Sequence, residues 1–291
     1  MKNYNSYSNL SILIPIFNWD ITTLIDNLYN QCIALDIRFE IICIEDCSSK
    51  LFKNEKITKY KQVQYQKLKQ NIGRSKIRNL LAKQANSDLL LFIDADSAVV
   101  DNKFIQQYLD AAKYINDGIE IIYGTTLYSN NKPPKNKLLH WKYGRNVESK
   151  RKMKIFSSHH FLCEKELFKL IKFDETINSY GYEDLYFAQN RKIKHVDIPL
   201  YHIGLKSTDY FLENINDSLL NIKKESANTR LQNTWINLAY IKLDWVVFIA
   251  FKLSKKLIIK NLKSKHPSML LFQLYKLGLF CEIQIKSRKK R

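Results

Sequence analysis

Residues 89–100, LLLFIDADSAVV, form an apolar run that ends on two aspartates with one residue between them. A run of this length suits a strand covered on both faces, the central strand of an α/β sheet. Asp94 and Asp96 repel each other, and a strand end tolerates them where solvent screens them or a cation sits between them. LSILIPIF (10–17) and FEIICIED (39–46) are two more apolar strands that end on polar groups. Helical patterns separate them, at 18–35 (opened by Asn18 or Asp20) and at 72–86, where Leu80, Leu81 and Ala85 are spaced for burial. VQYQKL (63–68) reads as a short edge strand, 102–115 as a helix and IEIIYG (119–124) as a further strand. Strands alternating with helices predict a mainly parallel sheet with helices on both faces.

In such sheets ligands bind beyond the carboxyl ends of the strands. Pro15, Phe17 and Asn18, then Glu45 and Asp46, then Asp94, Ala95 and Asp96 all fall at those ends. Residues 1–124 therefore read as a nucleotide-binding half. The second half is less regular. The stretch 125–155 is basic and polar with a Pro-Pro break, and reads as a long loop with one helix, the kind of segment that covers a site. Residues 156–205 hold a strand, a short helix, an acidic turn, a helix over 182–192 and a strand ending near Pro199; after 207 the pattern turns helical. The expected division is 1–206, with 125–206 as its acceptor-binding and catalytic half, followed by a helical region at 207–291.

Five cysteines form neither a CxxC pair nor a zinc spacing, which fits a reducing compartment. The amino terminus, MKNYNSYSNL, has no apolar signal core. The net charge of +19 is unevenly spread: residues 221–291 carry sixteen Lys or Arg against three acids, a net +13, which leaves only +6 for the rest.

Each candidate motif has two readings when taken alone. Asp94-Ala95-Asp96 suits a divalent ion bridging a diphosphate, since hard carboxylate oxygens prefer Mg²⁺ or Mn²⁺; it equally suits a solvated turn whose Asp caps the next helix. Asp46 with Ser48 is either an acceptor for a base or ribose or an Asx turn. Gly73 and Arg78 open a helix, where Gly73 lets the backbone come close and Arg78 offers a fork of donors to a base or phosphate; the alternative is a solvated surface helix. Glu183 and Asp184 start a helix, as a general base and its neighbour or as acids complementing the helix dipole. His202 is a third metal ligand or a structural histidine. His159 and His160 read as structural.

Together the stretches are more specific. SILIPIFN, EIICIEDCSS, NIGRSKIRN, LLFIDAD and GYEDLYF follow one another in the order found in family 2 glycosyltransferases of the GT-A fold, and the chain resembles that family over 10–205. FDETINSYGYEDLYFAQNRK is similar to the carboxyl-side catalytic segment of galactosyltransferase-type members. The resemblance implies a nucleotide-diphosphate sugar donor, a UDP-sugar above all, lying along Pro15, Phe17, Asn18, Asp46, Gly73, Arg78, Asp94, Ala95 and Asp96. It implies Mn²⁺ or Mg²⁺ at Asp94, Asp96 and His202, with Asp184 as base and Glu183 as its acceptor-binding neighbour. It also implies inversion by single displacement. Two departures stand out: Glu45 replaces a frequent aspartate, and RLQNTW (230–235) does not fit the Q-x-x-R-W element of processive synthases, which favours single-sugar addition.

In residues 244–291, Lys252, Lys255, Lys256, Lys260 and Lys263 fall within an arc of about 140° on a helical wheel whose remainder is mostly apolar. The longest uncharged apolar run, Trp245 to Phe251, is far short of the ~20 residues a membrane span needs. The segment is suited to an anionic membrane surface; the alternative is a packed helix pair with solvated lysines. The expectation is thus a transferase of surface-glycan assembly, acting on a glycan or lipid-linked acceptor at the cytoplasmic face of a bacterial membrane, with no nucleic acid as partner. The rivals are a nucleotidyltransferase, for which PIFNWD lacks the glycine-rich phosphate loop, and a basic nucleic-acid- or membrane-binding protein without catalysis, for which the sheet edge is too acidic.

Overall fold

The apolar runs form strands whose alternate residues feed two separate cores. In the computed structural model, residues 9–150, 156–177, 181–222, 230–240 and 242–288 are described. The tip of the basic loop at 151–155, Tyr180 of the GYEDLYF region and the terminal basic residues 289–291 lie outside them. In chain order the elements are β1 (Asn9–Ile16), α1 (Thr22–Ala34), β2 (Arg38–Glu45), β3 (Val63–Lys67), α2 (Arg74–Gln84), β4 (Leu89–Ile93), β5 (Ser97–Val99), α3 (Phe104–Ala111), α4 (Lys113–Asn116) and β6 (Ile121–Leu127). There follow α5 (Leu138–Tyr143), β7 (His160–Glu164), α6 (Lys165–Ile171), α7 (Glu183–Phe187), β8 (Ile193–His202), α8 (Thr208–Leu220), α9 (Arg230–Tyr240), α10 (Asp244–Leu262) and α11 (Met269–Arg288).

The eight strands form one mixed sheet in the order β3-β2-β1-β4-β7-β6-β8-β5. Parallel pairs are β1 with β2 and β4, β2 with β3, and β6 with β8; β7 runs antiparallel between β4 and β6, and β5 antiparallel to β8. β3 closes one edge, as its short half-polar pattern predicts. Ile12 and Ile14 of β1, Ile41 and Cys43 of β2, and Leu89 and Leu91 of β4 point to one face, where α1 and α3 supply Leu24, Ile25, Leu28, Phe104 and Tyr108. Leu13, Ile42, Ile44, Leu90 and Phe92 point to the other, against Ile77 and Leu81 of α2 and Phe168 of α6. The period of two with both faces apolar is why these strands read as continuous hydrophobic runs.

Of the described residues, those within Met1–Ser129, Ser149–Asn178 and Glu183–Gly204 form one compact unit; those within Asn130–Glu148, Ser179–Tyr182 and Leu205–Arg291 form a second. The basic stretch 130–148 thus groups with the carboxyl-terminal helices, and it carries α5 and a π-helical turn at Gly144–Glu148. In the second unit α10 and α11 form a hairpin. Gly278 of α11 lies under the Phe251 ring, where a Cβ would stand 2.5 Å from Cδ2, so only glycine admits the close approach. The buried Asp244 accepts from Arg288 at 2.9 Å, tying the start of α10 to the end of α11. The five cysteines are free thiols.

Candidate active site

β1, β2 and β4 run parallel and in register, with Ile16 opposite Glu45 and Leu13 opposite Phe92, so their carboxyl ends reach one edge. Asn18, held at φ 53°, accepts from the Lys50 amide at 2.8 Å and from Ser49 at 3.1 Å through Oδ1, and its own amide donates to Ser48. It therefore clasps the β1 and β2 loops; Asp20 accepts from the Thr22 amide at 2.9 Å in a local turn just before α1, whose N-cap position is Ile21, without a capping side chain. Pro15 lies within β1, and Phe17 stands half exposed just beyond it.

Asp46 is buried, and both its oxygens are used. Oδ1 accepts from the Ile72 amide at 2.7 Å and Oδ2 from the Gly73 amide at 2.9 Å. Gly73 has φ 84°, and nothing lies within 4 Å of where a Cβ would stand, so the backbone angle and not the space requires glycine. Asp46 and Gly73 together aim the first turn of α2 at the edge. Glu45, also buried, accepts from the Tyr65 hydroxyl, and burial followed by that hydrogen bond pushes the Tyr65 phenol up.

The two arginines of α2 are divided by burial. Arg78 is enclosed; its Nη2 donates to Asp94 Oδ1 at 2.6 Å, its Nη1 to the Arg74 carbonyl at 3.4 Å, and its guanidinium lies 5.4 Å from the Phe173 ring centroid. Phe173 in turn stacks on Phe187 at 4.1 Å. Arg74, which sequence reasoning passed over, is half exposed and sits between acids, 3.5 Å from Glu183 Oε1 and 3.9 Å from Asp94 Oδ2. One guanidinium thus spans the aspartate after β4 and the first residue of α7, bringing segments 89 positions apart to one edge. Glu183 is buried, and its Oε2 has no hydrogen-bond partner among the described residues. Asp184 beside it is partly exposed, with Oδ1 accepting from the Leu185 amide at 2.8 Å.

Asp96 and His202 meet through β5, a three-residue strand that the sequence pattern did not predict. Ser97 of β5 pairs with His202 at the end of β8, and Asp96 Oδ2 lies 3.0 Å from His202 Nε2. The other imidazole nitrogen, Nδ1, is 2.9 Å from the Tyr128 hydroxyl. Gly204 passes directly beneath the carboxylate: a Cβ there would stand 2.6 Å from Asp96 Cγ. Burial alone would raise the Asp96 carboxyl, but the charge and hydrogen bond of His202 outweigh it and hold it well below the usual range. Asp94 goes the other way: burial pushes it up, and Arg78 and Arg74 pull it back only in part. Asp94, Asp96 and His202 were predicted as one metal-binding set. Among the described residues no three His, Cys, Asp or Glu side chains are grouped to hold an ion, and Asp94 lies against the two arginines. Asp96 and His202 remain as a pair.

His159 bridges Ser97 Oγ (3.0 Å) and Thr126 Oγ1 (3.1 Å) behind His202, and its ring lies 5.4 Å from that of His202. His160 meets the Tyr108 hydroxyl at 2.7 Å. Burial pushes both imidazoles down, His160 to about 3.

The family model for glycosyl transferase family 2 matches residues 11–171, more than half of the chain. None of the curated proteins matches it in sequence. Among solved structures, TarS of S. aureus is 21% identical with a TM-score of 0.48 over 81% of this chain, which spans 43% of that one. Its 1–349 form in complex with UDP-GlcNAc is 17% identical, with a TM-score of 0.48, covering 97% of this chain and 92% of the other. Glucosyl-3-phosphoglycerate synthase of Mycobacterium tuberculosis, in complex with Mn²⁺, UDP and glucosyl-3-phosphoglycerate, is 16% identical with a TM-score of 0.50, covering 71% of this chain and 75% of the other. At such identity the likeness is one of fold, the GT-A arrangement of a mixed, mostly parallel sheet.

Proposed function

The chain belongs to glycosyl transferase family 2, and on that footing we propose that it moves a single sugar, with inversion, from a UDP-linked donor to a glycan or lipid-linked acceptor in surface polysaccharide assembly. The observation that carries this reading is the contact of Arg74 with both Asp94 and Glu183. It joins the donor-binding edge to the segment that would supply the base.

A sugar hydroxyl is a weak nucleophile, so a carboxylate must take its proton as the new bond forms. Asp184, partly exposed in the first turn of α7, is the group we assign to that task. Glu183, buried with one oxygen unpartnered, is suited to accept a hydrogen bond from an acceptor hydroxyl. Single displacement needs one base and no enzyme nucleophile, and inversion follows.

The leaving diphosphate gains negative charge in the transition state, and fixed positive groups there stabilise it most. Arg74 stands half exposed at that edge, while Arg78 holds Asp94 from behind. The carboxylate of Asp96 and the imidazole of His202, 3.0 Å apart, would hold Mn²⁺ or Mg²⁺, a mixed oxygen and nitrogen pair of the kind such ions accept. When bound, such an ion neutralises charge on the diphosphate. Asp46, Gly73, Pro15, Phe17, Asn18 and Ala95 would frame the nucleoside.

Residues 244–291 we assign to an anionic membrane surface, with the enzyme peripheral on its inner face and without a nucleic-acid partner. The net charge of that region supports the reading, and no helix among the described residues is long and apolar enough to cross a membrane.

The test is a screen of UDP-sugars for Mn²⁺-dependent hydrolysis and transfer, followed by Asp184→Asn. That variant is expected to lose transfer while binding UDP nearly as the parent does. A variant that keeps most of its transfer activity removes Asp184 from the chemistry; a parent that ignores both UDP and Mn²⁺ removes the donor assignment.

A further inference from the structure

α10 and α11 are unequal partners. α11 turns Phe272, Tyr275, Leu279, Phe280 and Ile285 into the interior of the second unit. α10 buries only Asp244, Phe251, Ile258 and Leu262. Its outward face leaves Val246 58%, Ile249 53%, Leu253 80% and Leu257 71% exposed. Their spacing of three, four and four residues makes one continuous apolar stripe along the helix. Trp245 stands exposed at its start. On the same outward arc, about 60° round the helix from that stripe, run the exposed Lys252, Lys256 and Lys260.

We infer that this face of α10 alone, and not the α10–α11 pair, lies flat on an anionic bilayer surface, with the four aliphatic side chains among the acyl chains and the lysines level with the lipid phosphates. The inference rests on the membrane partner proposed above, and it names the contact face and its depth. Exposed leucines of this extent cost a water-facing helix its hydration without return, and an interfacial helix is where an apolar stripe and a cationic stripe lie side by side. A second copy of the chain fits less well. The exposed arc of α10 carries no acid, since Asp244 is buried against Arg288, so two such faces would oppose lysine to lysine. On α11, Glu282 is already paired with Lys255 and Lys286. A polynucleotide would match the lysines and leave the leucines with no apolar partner.

The test uses the full chain and sedimentation with vesicles of phosphatidylcholine alone or mixed with phosphatidylglycerol. The parent is expected to bind the mixed vesicles, and to be released by salt because the lysine contribution is screened. Leu253→Ser combined with Leu257→Ser should lower the partition coefficient about a hundredfold, about tenfold per leucine removed from the acyl region. Leu270→Ser, an exposed leucine on α11, should leave it unchanged. Hydrolysis of the UDP-sugar donor in solution reports that each variant is folded. A parent that binds while the double variant binds equally well overturns the inference and leaves the membrane partner standing. A parent that binds neither vesicle overturns both. A parent that is dimeric by sedimentation equilibrium, and that the double variant converts to monomer without any vesicle binding, makes the stripe a contact between copies.

Discussion

Gly204→Ala tests the site without replacing any ionisable group. A Cβ at this position would stand 2.6 Å from Asp96 Cγ and 2.7 Å from its Cβ. Carbon atoms pack at about 3.5–4.0 Å, so the aspartate must retreat by about 1 Å. It has little freedom to do so: the Asp96 carbonyl accepts from the Ile203 amide at 2.9 Å, and Oδ2 lies 3.0 Å from His202 Nε2. The retreat therefore separates the carboxylate from the imidazole. A displacement of that size in a positioning group costs about 10²-fold in turnover. The overpacking itself costs about 1–3 kcal/mol of stability. Steady-state transfer measures the first, urea unfolding the second, and Mn²⁺ titration followed by electron paramagnetic resonance shows whether ion binding falls with turnover. Gly118→Ala is the control. Gly118 has φ 84° and no atom closer than 4.0 Å to a built Cβ, so it should lose stability through backbone strain and keep its turnover. A folded Gly204→Ala enzyme with near-parental turnover would refute the placement of Asp96 in the chemistry.

Other expectations follow from buried groups. His160 is held down to about 3 by burial, against about 6.5 in an unfolded chain. Below pH 6.5 the unfolded chain takes up a proton that the folded chain refuses, so stability falls as pH drops toward 3, by about 1.4 kcal/mol per unit. Between pH 7 and pH 5 that amounts to about 2 kcal/mol, and His160→Gln should flatten the slope by that amount in urea titrations; an unchanged slope would show that His160 is not the responsible group. Arg78→Leu leaves Asp94 buried without its 2.6 Å partner and should cost about 3–5 kcal/mol, part of it recovered by adding Asp94→Asn. A cost below about 1 kcal/mol would mean that the pair contributes little.

The sheet was legible because its strands are buried on both faces, and a run such as LLLFI admits few other readings. The polar residues at the strand ends were legible for the same reason, since they interrupt those runs. Which arginine of α2 faces outward was not. Arg74 and Arg78 are one helical turn apart and alike in local sequence; what separates them is the Phe173–Phe187 stack under Arg78, made by residues about a hundred positions further on. β5 was missed because three residues are too few to show a period, and with it went the reason why His202 reaches Asp96. The helix expected over 182–192 shrinks to Glu183–Phe187, bounded by Tyr182 and Asn190 at φ 68° and 59°, angles that side-chain patterning does not encode. Gly204 had a faint signal, a glycine two residues after His202 in a chain with only seven glycines.

The acids at the sheet edge divide into those bonded within the scaffold and those to which the proposed reaction gives a part. Asp46 is consumed by two backbone amides, Glu45 by Tyr65, and Asp94 by Arg78 behind it with Arg74 at its outer side. None of these carboxylates can turn toward a ligand without breaking a bond that shapes the edge. Asp96, His202, Asp184 and the outer arginine, Arg74, are the groups whose positions those bonds fix. In a low-dielectric site the advantage of fixed charges is that they need not reorient as charge develops, so the buried acids matter to turnover through the geometry they impose. Substituting a scaffold acid should therefore lower stability and turnover together, whereas substituting Asp184 should lower turnover alone. That difference in pattern separates the two classes even where the losses in rate are equal.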